Sequence, residues 1–157
     1  MKKRLLLTTA MVMAMGAANA MAHDRIENTT DNITIENETF ENLSSNNYGV
    51  AIGNFGNNVN IIYNNFAHNI STTSSRGGAI YNSGTNANIS HNNFTSNATT
   101  NYGPGGGAGI KNYGSYVTIS NNTFISNNGG SYEGGVIVND GDNVSIINNV
   151  FQQNRGG

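Results

Sequence analysis

The chain has 157 residues, only 10% of them charged, and asparagine alone supplies 31, about a fifth of the sequence. Polarity without charge separates it from ordinary disordered chains, which combine low hydrophobicity with high net charge. The absence of cysteine excludes a disulfide framework and thiolate metal sites, and a formal charge of −2 leaves no basic footprint for nucleic acid.

The chain opens with MKKR, a short basic segment, followed by an apolar stretch over residues 5–16. Ala18-Asn19-Ala20 is a small-x-small cleavage site, with Ala20-Met21-Ala22 as the alternative. Residues 1–20 therefore read as a signal peptide, with cleavage after 22 as the second option, and residues 23–157 as the folded part. That part sets Arg25, Arg76, Lys111 and Arg155 against nine acids, a formal charge of −5. The protein is expected to be exported and mildly acidic.

From Asp24 onward the chain repeats itself. Phe40, Phe66, Phe94, Phe124 and Phe151 recur at intervals of 26, 28, 30 and 27 residues. Fourteen residues before each stands an isoleucine: Ile26, Ile52, Ile80, Ile110 and Ile137. Two residues after each isoleucine comes Asn28, Asn54, Asn82, Asn112 or Asn139. Five before each phenylalanine are Ile35, Ile61, Ile89, Ile119 and Ile146, and seven before are Ile33, Val59, Ala87, Val117 and Val144. Asn64, Asn92, Asn122 and Asn149 lie two before Phe, where the first copy has Glu38. Asn69, Asn97, Asn127 and Asn154 lie three after it, where the first copy has Leu43. All length variation falls between a phenylalanine and the next isoleucine.

The short cores VNI, VTI and VSI alternate apolar and polar residues, which is strand periodicity, and are too β-branched for helix. Copies of 26 to 30 residues with several short strands predict an all-β parallel solenoid of about five coils. Equivalent residues then lie over one another at strand spacing, about 4.8 Å. Isoleucine and phenylalanine columns form the dry interior. Asparagine columns link coil to coil, since each side-chain amide both donates and accepts. Asparagine also tolerates left-handed backbone, which suits it to the corners of the coil. The irregular, acidic first copy reads as a solvated terminal cap.

The paired tetrapeptides GGAI (residues 77–80) and FTSN (94–97) resemble the GGA-[ILV] and F-x-x-N repeats of polymorphic outer-membrane proteins, chlamydial-type autotransporters. GGVI (134–137) with FQQN (151–154) is a second near match; GAGI with FISN and GVAI with FAHN are looser. The pairing is similar, more broadly, to right-handed parallel β-helix proteins of the pectin-lyase-like class. The resemblance implies a secreted passenger at the cell surface with a role in adhesion, its partner a host-cell surface protein or glycan. This sequence departs from the family in having no C-terminal β-barrel, so a truncated passenger fragment is expected, held at the outer membrane only through the missing barrel.

Parallel β-helices also carry polysaccharide lyases and hydrolases, so a fragment of such an enzyme is the alternative. Those sites gather carboxylates with Lys or Arg on one face. Here six acids lie between Asp24 and Glu41 and three between Glu133 and Asp142, with none between. Asp31 and Asp142 share a coil position but four coils apart, about 19 Å at strand spacing. Asp140-Gly141-Asp142 reads as a glycine turn, with oxygen ligation of calcium as the other option. His68 and His91 occupy different coil positions. No catalytic, cofactor or metal residue is assigned. Lys111 over Tyr81 and Tyr63 over His91 are expected as surface contacts. The inserts, variable on one edge of a regular scaffold, are the expected binding loops, with Tyr48, Tyr102 and Tyr132 as contact residues.

Overall fold

The structure, a computed structural model, describes residues 5–6, 24–73, 77–100, 106–130 and 135–156. Apart from Leu5–Leu6, the expected signal peptide lies outside the described residues, as do Tyr102 and Tyr132.

Each copy is one coil of a right-handed parallel β-solenoid, and its strands stack on their counterparts in the next copy. The first sheet contains Ile26–Asn28, Ile52–Asn54, Ile80–Asn82, Ile110–Asn112 and Ile137–Asn139, with Leu5–Leu6 paired in parallel beyond Ile26–Glu27. The second runs through Thr34–Glu36, Asn60–Ile62, Asn88–Ser90, Thr118–Ser120 and Ser145–Ile147. The third runs through Thr39–Glu41, Asn65–Ala67, Asn93–Thr95, Thr123–Ile125 and Val150–Gln152. A fourth, shorter sheet holds Ser44–Ser45, Ile70–Ser71 and Ala98–Thr99, and single bridges through Asn128 to Arg155 carry it across the last two coils. Every strand pair is parallel, and between the five copies the registers of the first three sheets set column isoleucine on isoleucine and phenylalanine on phenylalanine. The described residues contain no helix.

The core is the set of columns read from the sequence. Ile26, Ile52, Ile80 and Ile110 are buried, as are Ile35, Ile61, Ile89 and Ile119. Phe40, Phe66, Phe94 and Phe124 are wholly buried. Their rings stack with Phe151 at centroid separations of 4.6–5.2 Å and interplanar angles of 5–12°. Coil spacing dictates that geometry: rings on strands about 4.8 Å apart lie parallel and slide sideways into the offset stack that aromatic quadrupoles favour. The last coil keeps the register but not the burial. Ile137 is half-buried, Asn139 is exposed and Phe151 is 52% exposed, since among the described residues no coil lies over them.

The asparagine columns carry hydrogen-bond ladders. In the first, each Nδ2 donates to the Oδ1 of the next coil, from Asn28 through Asn54, Asn82 and Asn112 to Asn139, at 2.6–2.7 Å. The second amide hydrogen goes to the carbonyl two residues on, at Thr30, Gly56, Gly84, Gly114 and Gly141. In the other two columns, from the third coil on, each Oδ1 receives both the backbone N–H and the Nδ2 of the asparagine one coil below, as Asn92 does from Asn64 and Asn97 from Asn69, while Asn64 and Asn69 receive the backbone N–H of Glu38 and Leu43. The remaining Nδ2 hydrogen reaches a carbonyl of that lower coil, Asn92 to Ile61 and Asn97 to Phe66. Buried amides are thereby satisfied without water.

Asparagine does sit at the corners, as its tolerance of left-handed backbone predicts, but the corner asparagines are not those of the ladder columns. The left-handed corner residues sit one position before the second and third columns and near the end of the first turn. Asparagine holds several of these corners, among them Asn32, Asn37, Asn58 and Asn121, but so do Tyr63, His68, His91, Ser96, Tyr116, Ser126 and Gln153, with φ of 53–59° throughout. The division follows from burial. A ladder residue must point its amide inward along the axis, whereas a corner residue points out and needs only a backbone tolerant of positive φ. In the GGAI stretch Gly77 has φ +77°, and a Cβ there would lie 2.7 Å from the Lys111 Cβ, so the motif's first glycine answers both strain and crowding.

Candidate functional site

Every interval between a fourth-sheet segment and the next first-sheet strand contains one of the variable inserts, so the inserts adjoin the outer face of the first sheet in sequence. Side chains alternate across a strand, so the middle residue of each first-sheet strand faces outward. The register stacks Glu27, Gly53, Tyr81, Lys111 and Val138 on that face. Phe55, Tyr113 and Asp140 follow just beyond the strands, in equivalent positions of coils two, four and five.

These residues form one contiguous aromatic and charged strip. The Tyr48 ring lies 4.8 Å from that of Tyr81 and 6.2 Å from that of Phe55, nearly edge-on to the latter at 82°. Phe55 and Tyr113 each lie 5.7 Å from Tyr81, on its two sides along the axis. Tyr81 is the buried centre, and Tyr48, Phe55 and Tyr113 are its exposed flanks at 41, 37 and 44%. Burial pushes the Tyr81 phenol above its ordinary pKa; the neighbouring Tyr113 and Tyr48 phenols add to the rise, and a hydrogen bond with Ser83 opposes it.

An ion pair closes each end of the strip. Arg25 donates to Glu27 at 2.7 Å and to the carbonyls of Tyr48 and Gly49 at 2.7 and 2.8 Å, which ties the first insert to the sheet. Gly53 makes room for this arrangement, since a Cβ there would stand 2.6 Å from the Arg25 Nη2. At the other end Lys111 Nζ meets Asp140 Oδ2 at 2.5 Å and lies 4.8 Å from the Tyr113 ring centroid. Lys111 is only 3% exposed, so the ammonium is held by a carboxylate and a π face in place of water.

The sequence-predicted residues fare unequally. Tyr48 belongs to the strip. Lys111 and Tyr81 do stack on one face, but as buried members of it, not as the surface contact expected. Tyr63 lies over His91 with ring centroids 5.0 Å apart, and both are left-handed corners. Asp140 is engaged by Lys111. Asp31 accepts the Asn57 N–H at 2.7 Å, and the Asp142 carbonyl accepts the Tyr116 N–H at 2.9 Å. Among the described residues no group of three His, Cys, Asp or Glu is placed to hold a metal ion. Phe55, Tyr113, Arg25 and Glu27 escaped the sequence reading. Phe55 and Tyr113 each fall three residues after a column isoleucine, with Ser83 in the coil between, so no unbroken column advertises them.

The strip lies on a scaffold whose family is clear. Residues 24–157 match the family model described as a right-handed beta helix region, and the chain belongs to that family. No curated protein and no solved structure matches it.

Proposed function

We propose that this chain is an exported, surface-displayed β-helix of the autotransporter-passenger kind, and that it acts as an adhesin by binding carbohydrate along the outer face of its first sheet. One observation carries the reading: the Tyr48, Phe55, Tyr81 and Tyr113 rings form a continuous strip with an ion pair at each end. The apolar C–H faces of a sugar ring stack on the electron-rich faces of aromatic rings. Phenol hydroxyls and the exposed edge of Asp140 supply the hydrogen bonds that sugar hydroxyls need. A regular coil repeat sets such contacts at fixed intervals, which suits an extended chain of sugar units. The low charge of the core coils and the GGA-[ILV] and F-x-x-N pairing support the passenger assignment, and the basic, apolar start of the chain supports export. Fold alone does not fix function, since function lives in the site that a fold presents.

The test displays the chain on a non-adherent bacterium and measures attachment to an array of immobilised glycans. Tyr48→Ala with Tyr113→Ala should reduce attachment about tenfold, in keeping with the loss of two stacking contacts worth ~0.5–1.5 kcal/mol each. The melting temperature should fall only slightly, because both side chains are nearly half exposed and the Lys111–Asp140 ion pair remains. Undiminished attachment by the double variant overturns the site. Shortening of a soluble glycan by the purified protein overturns the adhesin reading in favour of a lyase or hydrolase.

A further inference from the structure

Ten asparagines open an N-x-[ST] triplet, the acceptor sequence for N-linked sugar. Several are expected from composition alone in a chain this rich in Asn, Ser and Thr, and the fold sorts them. Asn28, Asn69 and Asn97 are buried ladder residues with both Nδ2 hydrogens bonded. Asn88 and Asn93 lie within strands. Asn32, Asn37, Asn42, Asn121 and Asn143 are exposed corners with φ of 54–59°.

Four of these five corner triplets carry a second mark. Asp31, Glu36, Glu41 and Asp142 stand directly before Asn32, Asn37, Asn42 and Asn143. Over the whole chain five of the nine acids precede an asparagine, and all five of those asparagines open a triplet, against five of the other 26. A corner requires neither the acid nor the hydroxyl. Asn58 and Asn86 hold the corner equivalent to Asn32, at φ of 53 and 55°, with Asn57 and Thr85 before them and Asn60 and Asn88 two residues after. Those two spend their amides along the axis, Asn58 Nδ2 donating to Asn32 Oδ1 at 3.1 Å and Asn86 Nδ2 to Asn58 Oδ1 at 2.7 Å. The Nδ2 groups of Asn32, Asn37, Asn42 and Asn143 donate to no acceptor among the described residues.

The coil presents all four tetrapeptides in the same way. The residue after the asparagine occupies a column position, so Ile33, Glu38, Leu43 and Val144 are half-buried. The acid before and the hydroxyl residue after it, Thr34, Thr39, Ser44 or Ser145, flank the corner at exposed or half-buried positions. The first coil carries three such sites at five-residue spacing: Asn32 between the first and second sheets, Asn37 between the second and third, and Asn42 between the third and fourth.

We propose that Asn32, Asn37, Asn42 and Asn143 are N-glycosylation sites, modified on the folded coil by an enzyme that reads an acid, the asparagine and the hydroxyl together. The co-substrate is a sugar carried on a diphosphate. Asn Nδ2 attacks the sugar C1, the N–C1 bond forms as the C1–O bond to phosphate breaks, the diphosphate leaves with the electron pair, and one amide proton passes to a base of the enzyme. The acid offers that enzyme a charge-assisted contact and the hydroxyl a second hydrogen bond. Sugars at these corners point into solvent and disturb no ladder.

The test purifies the full chain from the cells that make it naturally and locates sugars on its peptides by mass spectrometry, with fragmentation that keeps side-chain sugars in place. Sugar mass increments are expected at Asn32, Asn37, Asn42 and Asn143. None is expected at Asn28, whose tetrapeptide is complete with Glu27 and Thr30 but whose amide is held in the ladder. Glu36→Gln and Thr39→Val should each abolish the sugar at Asn37 and leave those at Asn32 and Asn42, which report in the same molecule that the coil has folded and met the enzyme. Unmodified corners overturn the proposal. Sugar at Asn28 overturns the folded acceptor, and occupancy of Asn93, an exposed triplet with no acid before it, equal to that of Asn37 overturns the role of the acid.

Discussion

Asparagine 112 shows what one residue does in this fold. Its Nδ2 donates to Asn139 Oδ1 and the Gly114 carbonyl, and its Oδ1 accepts from Asn82 Nδ2 and the Gly114 N–H. All four bonds lie in a site with no exposed surface on the side chain. Asn112→Ala leaves one Asn82 Nδ2 hydrogen and the Gly114 N–H without their acceptor and should cost about 1–3 kcal/mol. Asn93→Ala, at an exposed strand position, should cost under ~0.5 kcal/mol. Urea denaturation of both variants checks the difference, and equal midpoints would mean that the ladder contributes nothing. Tyr81 offers a second handle. Its folded pKa is raised above 10.0, chiefly by burial, so at alkaline pH the unfolded chain ionises first and binds fewer protons than the folded chain. Its contribution is therefore complete below about pH 10 and is lost as pH rises past that value. Tyr81→Phe removes this dependence, so the fall in melting temperature between about pH 9 and 11 should be shallower in the variant.

At the scale of the coil, the corners decide where strands end. His91 holds φ of 58° and stacks on Tyr63 from the coil below, which accounts for it without chemistry. His91→Asn should leave stability within ~0.5 kcal/mol, whereas His91→Val puts a β-branched residue in the left-handed region and should cost about 1–3 kcal/mol. Thermal unfolding of the pair distinguishes a corner from a packing position, where valine would be the better replacement. The contrast between ladder and corner also marks how far the sequence could be read. The fixed interval from Ile80 to Phe94 exposes inward columns because each must meet its own kind at strand spacing. Corner positions accept Asn, His, Tyr, Ser or Gln, so their identity varies from coil to coil and hides the column. The aromatic strip is harder still to foresee. Tyr81 is a strand residue, Phe55 and Tyr113 follow their strands, and Tyr48 comes from an insert, so only the stacking of three coils brings the rings together.

At the scale of the whole molecule, each interior coil depends on two neighbours. Its ladders run in one direction, its phenylalanine touches rings above and below, and its strands pair on both edges. The same substitution should therefore have very different consequences along the axis. Phe94 is wholly buried between Phe66 and Phe124, with centroids 4.7 and 4.6 Å away. Phe94→Ala removes both contacts and opens a cavity that no flexible neighbour can fill, and it should cost about 3–5 kcal/mol. Phe151 meets only Phe124 and is half exposed, so Phe151→Ala should cost about 1 kcal/mol. Nearest-neighbour coupling makes a further demand on the first variant. Coils 24–73 and 106–156 each meet coil three through paired strands in all three main sheets, so loosening coil three should speed amide exchange on both sides of it. Hydrogen exchange of Phe94→Ala should thus show faster exchange at Asn64 and Asn122 as well as at Asn92, in a single unfolding transition. Faster exchange confined to residues 77–100 would mean that the coils unfold independently and that the ladders do not couple them.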